Sequence, residues 1–363
     1  MMTPSNPFFL LTVTALINHI PQISADCECG YRVGSSSSQS ATLLFTDTIL
    51  TDFRELSSLS ETPDWKIKQL RLDYTPGTDR LGRVVEDRNV ILNPVLDSSN
   101  LNSPSAQGPG VNAGLQLIVR STLVEGELVS TGQIQSTRED IRFGSFRAYM
   151  KSSPVNGTCA ASFWYYNDTQ EIDMELLSRE QIRSQNPINL SIHSEESADD
   201  ASNTTGTIER QLDFNPAQNF HEYRYDWSQE AVSYYVDGKW LGDIKDFIPT
   251  TPGYVELSHW SDGFQGWSGG PPSQDALMTV AYFVGYFNST DSSRVQEFEE
   301  RCADGRGASH VCDVSHMKGI PSVASEGFSL LMKEKSDAMK YCGKHTMCLV
   351  TLCILVVGIL RLW

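Results

Sequence analysis

Basic residues are scarce in this 363-residue chain: 28 Lys and Arg stand against 45 Asp and Glu, a net charge of −17. Such a surface repels phosphate, so nucleic acid is excluded as a partner, whereas a neutral polymer such as a polysaccharide is not. Helical periodicity is also scarce, and no internal repeat is present. There is no His-rich pair, EF-hand or cysteine knuckle with zinc spacing, so no metal and no cofactor is expected. Aromatics make up 10% of the residues, which argues against disorder of the whole chain. The length allows one large domain or two ordinary ones, each able to bury a core.

Lys and Arg are missing from "MMTPSNP", yet "FFLLTVTALI" (Phe8 to Ile17) and "ISA" ending at Ala25 have the order of a signal peptide over 1–25. A buried N-terminal helix is the alternative, and Pro4, Pro7 and Pro21 make it awkward. At the other end "MCLVTLCILVVGIL" (Met347 to Leu360) is short for a spanning helix, which needs about 17 to 25 apolar residues. Ser336, Asp337 and Ala338, the spacer "MKYCGKHT" and this tail have the order of a GPI signal. The expectation is attachment at Ser336, a propeptide over 337–363 and a membrane partner through a lipid. A true membrane helix or a buried helix are the alternatives. Residues 313–336 read as a linker, with one short helix at "SLLMKEKSDAMK". No Ser/Thr-rich stalk precedes the site, so an anchored domain would sit near the membrane.

Sequons at Asn156, Asn167, Asn189, Asn203 and Asn288 fit a glycosylated, secreted protein. With both ends removed, Cys27, Cys29, Cys159, Cys302 and Cys312 remain, an odd number. Cys27 and Cys29 are too close to bridge easily. Each can reach Cys302 or Cys312 and tie the ends of a 26–312 domain together; alternatively, Cys302 and Cys312 pair with each other. Cys159 opens an apolar run and reads as a buried free thiol.

From about residue 41 to 290, short runs such as "GLQLIVRS", "FGSFRAYMK", "AASFWYY", "INLSIHS" and "ALMTVAYFVGYF" are rich in β-branched and aromatic residues. "YYVDGKWLG" sets Asp-Gly between apolar flanks, a strong hairpin signal. "DSSNLNSPSAQGPGVNAG" (Asp97 to Gly114) reads as a long surface loop. The pattern predicts an all-β antiparallel sandwich or jelly roll built as one domain.

"QEIDMELLS" places Glu171, Asp173 and Glu175 at alternate positions, so a strand would put all three carboxyls on one face. Like charges there repel and contribute nothing to folding. Glu171 and Glu175 have Cα atoms ~13 Å apart on a straight strand, and leaning side chains bring the carboxyls closer. A retaining glycosidase needs about 5 to 5.5 Å between nucleophile and proton donor. Asp173 between them can hold the nucleophile and raise the donor's pKa. A solvated acidic strand face is the bland alternative.

"EIDME" resembles the signature of glycoside hydrolase family 16. "GQIQSTREDIRFGSFRAYMK", "GTCAASFWYYNDTQEIDMELLS", "FHEYRYDWSQEAVSYYVDGKWLG" and "SHWSDGFQGWSGGPP" resemble further segments of it, in the expected order over about 41 to 290. The resemblance implies a β-jelly-roll of two curved antiparallel sheets with a concave substrate cleft. It implies a retaining mechanism on β-glucan or a related glycan, with Glu171 as nucleophile, Asp173 as its assistant and Glu175 as general acid/base. One residue, Met174, separates Asp173 from Glu175, as in the unbulged motif of lichenase-like, xyloglucan and fungal cell-wall enzymes. Trp164, Tyr166, Trp260 and Trp267 would line the cleft, their ring faces meeting sugar C–H faces. His259 alternates away from Trp260 and reads as structural. "NDTQ" stands where lichenase-like members often carry an aromatic residue. The expectation is a monomeric, secreted and GPI-anchored endo-β-glucanase. A wall transglycosylase using the same site and a non-catalytic lectin-like domain are the alternatives.

Overall fold

Alternation along Gln170–Leu177 shows the rule by which the chain folds. Ile172, Met174 and Leu176 are buried in the main hydrophobic core, and the three acids between them point the other way. In the computed structural model, residues 27–34, 42–95, 112–181, 186–194, 206–303, 310–317 and 319 are described. The leader, Asn203, Ser336, the hydrophobic tail, the "SLLMKEKSDAMK" helix and most of the Asp97–Gly114 loop lie outside them. Among the described residues no helix is long and apolar enough to cross a membrane.

Two large sheets enclose the core. The inner sheet runs Thr207–Gln211, Pro187–His193, Gln170–Leu177, Cys159–Asn167, Tyr254–Trp260, Leu128–Ser136, Gly82–Val85 and Arg71–Leu72, with Trp65–Ile67 also paired to Leu128–Ser136. The outer sheet runs Lys239–Ile244, Val232–Val236, His221–Trp227, Ile141–Lys151, Ala276–Ser289, Gly114–Val119 and Val90–Asn93, with Asp47–Asp52 also paired to Ala276–Ser289. Pairing is antiparallel throughout the outer sheet; in the inner sheet only Gly82–Val85 runs parallel to its neighbour Leu128–Ser136. Inward side chains of both sheets, among them Trp164, Ile172, Leu190, Phe146, Tyr225 and Trp227, fill one layer between them. This is the all-β jelly-roll sandwich that the strand pattern predicts. Asp237 and Gly238 take positive φ (50° and 79°) in the hairpin turn between Val232–Val236 and Lys239–Ile244, as a type I′ turn requires.

Ala276–Ser289 is apolar almost throughout because both its faces are covered. Behind it, Tyr282, Val284 and Tyr286 pack against Val33, Phe45 and Val314 of a three-stranded patch formed by Leu43–Phe45, Tyr31–Val33 and Cys312–Asp313. Two buried arginines of the outer sheet hold the closing segment there. Arg147 donates to the carbonyls of Val314 and Met317 (both 2.7 Å), and Arg224 donates to that of Ser315 (3.0 Å) while paired with Asp226. Cys27–Cys312 and Cys29–Cys302 are disulfide-bonded, and Cys159 is free and buried. The Cys302–Cys312 alternative is therefore not the arrangement adopted. Among the elements that the sequence reading does not name, Ser292–Cys302 is the longest, a helix capped by the Asp291 carboxylate accepting from Ser293 N at 2.9 Å. It buries no residue, so it carries no apolar stripe to read.

The Cys29–Cys302 bond closes a separation of 273 residues. Its removal in a Cys29→Ser, Cys302→Ser variant is expected to cost about 2–5 kcal/mol. Thermal unfolding checks this; a Tm equal to the parent's would show that the arginine-held segment secures the ends without the bond.

Candidate active site

The inner sheet's outward face carries the acids, because the core takes the opposite parity. Residues facing each other across strands form rows. Glu171 lies between His193 and Tyr165, with Tyr254 beyond. Asp173 lies between Ser191 and Phe163, followed by Glu256 and Gln135. Glu175 lies between Asn189 and Ala161, followed by Ser258 and Gln133. The small Ala161 side chain puts no bulk against Glu175. These rows floor a cleft of about 990 Å³, walled by Phe163, Tyr165, Trp260, Phe264 and Trp267.

Asp173 is the hub. It is 4% exposed, accepts from Ser191 Oγ at 3.2 Å, pairs with His193 Nε2 at 3.1 Å and hydrogen-bonds Glu171. Hydrogen bonding and charge attraction from Asp173 push His193 up to about 9, so the imidazole is cationic at neutral pH. Burial, then the Asp173 charge and hydrogen bond, then the Glu175 charge, raise Glu171 well above the usual carboxyl range. Burial and next the Asp173 charge push Glu175 up to about 7, against the opposing pull of Cys159, His193 and Trp267. The Cys159 thiol donates to Glu175 Oε1 at 3.1 Å. Trp267 is brought to Glu175 by a loop that Arg179 pins, its guanidinium donating to the carbonyls of Gln265 (2.5 Å) and Gly266 (3.0 Å). Arg179 itself follows the acid-bearing strand by two residues, so one segment sets both groups.

Donor atoms of Glu171, Asp173 and His193 lie within 4.8 Å of one another, the one set of metal-ligating type among the described residues. Their hydrogen bonds already join them, so we read the set as a proton-sharing network.

The structure brings Glu171, Asp173, Glu175, Trp260 and Trp267 together in one cleft. It does not bring Trp164 there. Trp164 is fully buried on the core side, donating to the Ile141 carbonyl (3.3 Å) and packed on Trp227 with centroids 4.4 Å apart. Tyr166 has the same parity, sits beside a register shift at the strand end and is 48% exposed outside the cleft. The correction is one of parity: the cleft aromatics of this strand are Phe163 and Tyr165. Asn189 is corrected too. Its sequon falls inside a strand of the inner sheet, and its side chain is 7% exposed beside Glu175, where no glycan fits. Asn156 and Asn167 are exposed, and Asn288 is half-buried. His259 is buried with Nδ1 2.8 Å from the Leu117 carbonyl, and burial depresses it to about 4. His193 and Cys159 as partners of the acids were missed. His193 shares the parity of Ser191 and Asn189 in "NLSIH", but its pairing partner is set by register, which the sequence does not print.

Fold and site together define a jelly-roll protein with an acidic, aromatic-walled cleft. The sequence profile of Glycosyl hydrolases family 16 matches residues 99–282, half of the chain, and the chain belongs to that family. Among curated proteins it is similar to a beta-glucanase of Brevibacillus brevis, 24% identical over 165 residues, which are 43% of this chain and 59% of the relative. It is also similar to Crh-like protein 3 of Botryotinia fuckeliana, 24% identical over 184 residues, 45% of this chain and 39% of the relative. The match thus spans less than two thirds of either relative. Among solved structures, the catalytic domain of an endo-1,3-beta-glucanase (laminarinase) from Thermotoga petrophila RKU-1 superposes with a TM-score of 0.51 at 14% identity, over 68% of this chain and 98% of that one, a likeness of fold.

Because the Asp173 charge raises Glu175, Asp173→Asn is expected to let Glu175 ionise at lower pH. If the cleft cleaves a soluble β-glucan with Glu175 as the acid, the high-pH limb of kcat/KM should stand near pH 7 in the parent and move down in the variant. A limb that stays fixed or moves up would leave Asp173 a positioning role alone.

Proposed function

We propose that the chain is a retaining endo-β-glucanase that hydrolyses β-1,3- or β-1,4-linked glucan. The observation that carries this reading is the alternation of Glu171, Asp173 and Glu175 on the floor of an aromatic-walled cleft. Burial and the Asp173 charge raise both glutamates, Glu175 to about 7, so Glu175 keeps its proton in part of the molecules at neutral pH, and the form with Glu171 ionised and Glu175 protonated starts the reaction. Glu171 attacks the anomeric carbon as Glu175 gives its proton to the departing glycosidic oxygen, which leaves as an alcohol. Asp173, tied to Ser191 and His193, holds Glu171 in line during this step through a proton that cationic His193 passes to Asp173 and that Asp173 donates to the ionised Glu171. Ionised Glu175 then takes a proton from water, whose oxygen displaces Glu171 from the anomeric carbon and restores both groups.

A neutral glycan suits the cleft, whose lining holds seven carboxyl groups against four basic side chains. The beta-glucanase relatives agree with that substrate class. The two disulfides support an oxidising, extracellular setting.

Glu171→Gln should lose turnover by about 10³-fold or more while keeping the parent's Tm, since nothing then forms the covalent intermediate. Turnover at the parent's level would remove the nucleophile assignment. Glu175→Ala should spare an aryl β-glucoside with an activated leaving group far more than the natural glucan, because that leaving group needs little protonation. Equal losses on both substrates would count against the acid/base role.

A further inference from the structure

Basic side chains of the cleft are matched by internal partners with one exception. Lys68 pairs with Glu256 (2.7 Å), Arg80 with Asp262 (3.2 Å) and His193 with Asp173 (3.1 Å). Arg83, on the Gly82–Val85 strand, lines the same cleft and forms no ion pair among the described residues. Its Nε is shut off from solvent and has no hydrogen-bond acceptor. What holds it is the face of Trp260, with Cζ 4.8 Å from the ring centroid. Trp260 in turn stands across from Cys159, which donates to Glu175. The guanidinium is therefore fixed in the cleft wall close to the reacting groups, its donors unspent.

A guanidinium without acceptors in the protein is costly to keep in a cleft wall, and because its Nε is closed to ligand as well as to water, the acceptors a ligand supplies meet the Nη groups. The planar fork of a guanidinium suits two neighbouring acceptor oxygens. An anionic sugar would face Glu171, Glu256 and Asp262 as well, whose charges all act on Arg83. Neutral hydroxyls meet no such opposition.

We propose that Arg83 is a specificity-determining substrate-binding residue, which donates to paired hydroxyl oxygens of a neutral glucosyl unit lying against the Trp260 side of the cleft. This rests on the glucanase reading of the site and adds the residue by which the sugar is selected. Arg83 takes no part in bond making. Its loss weakens binding of ground state and transition state alike, so KM rises while kcat is kept.

The test uses Glu171→Gln as a non-turning-over parent and measures its affinity for cellotetraose and laminaritetraose by calorimetry. The same measurement is made with Arg83→Met, which keeps the apolar stem on Trp260, and with Arg83→Lys, which keeps the charge without the fork. The expected result is about tenfold weaker binding or more for Arg83→Met on at least one tetraose, a smaller loss for Arg83→Lys, and unchanged Tm. In the active background, Arg83→Met should raise KM and leave kcat within about twofold. Binding of both tetraoses by Arg83→Met within twofold of the Glu171→Gln parent overturns the proposal and leaves the glucanase reading standing. Tighter binding of a glucuronate-containing tetrasaccharide than of the neutral ones also overturns it, in favour of an anionic ligand. Failure of Glu171→Gln itself to bind either tetraose overturns the glucanase reading and this inference with it.

Discussion

Mutual repulsion among three carboxyls on one strand face is the constraint around which the inner sheet is arranged. Nothing in folding rewards that arrangement. It persists because Ile172, Met174 and Leu176 on the opposite face are sealed in the core, and a strand cannot bury one set without presenting the other. The surroundings relieve the repulsion piecemeal. His193 brings a positive charge from the next strand, Ser191 a hydroxyl, Cys159 a thiol, and retained protons remove the remainder. The cleft chemistry is thus a consequence of core packing on the reverse of the same eight-residue strand.

How much of this could be read in advance depended on whether the signal was local. The acids alternate within five residues, and their common face follows from the pleat alone. The all-β sandwich and the Asp237-Gly238 hairpin rest on equally local patterns. Trp164 shows where locality ends. "SFWYY" offers aromatic residues on both faces, and only the pairing of Trp164 with Ile172 and Val255 assigns it to the core. Asn189 shows the same limit: a three-residue sequon carries no information about the strands on either side. Partners such as His193 and Arg83 depend on which strands become neighbours, and that order is decided by the whole sheet.

The family's catalytic signature assigns different roles to the two glutamates, whereas burial and the Asp173 charge raise both of them. Resemblance distinguishes nucleophile from acid by their order along the strand. Their neighbours differ: Glu171 sits with Asp173, His193 and Tyr165, and Glu175 with donors from Cys159 and Trp267. Donors around a carboxyl favour its ionised form, so Cys159 and Trp267 offset part of what burial and the Asp173 charge raise at Glu175.

The closing segment has a mechanical consequence. Residues 312–317 lie on the outer sheet, held by Arg147, Arg224 and the Cys27–Cys312 bond, with the whole sandwich between them and the cleft. A pull applied beyond Met317 is borne first by two guanidinium grips and a covalent link. It then passes into Ile141–Lys151 and His221–Trp227, paired strands of the outer sheet. The strands that carry the acids stand outside that load path. Tethering or drag at this end would tension the back of the molecule and leave the geometry of the working face undisturbed.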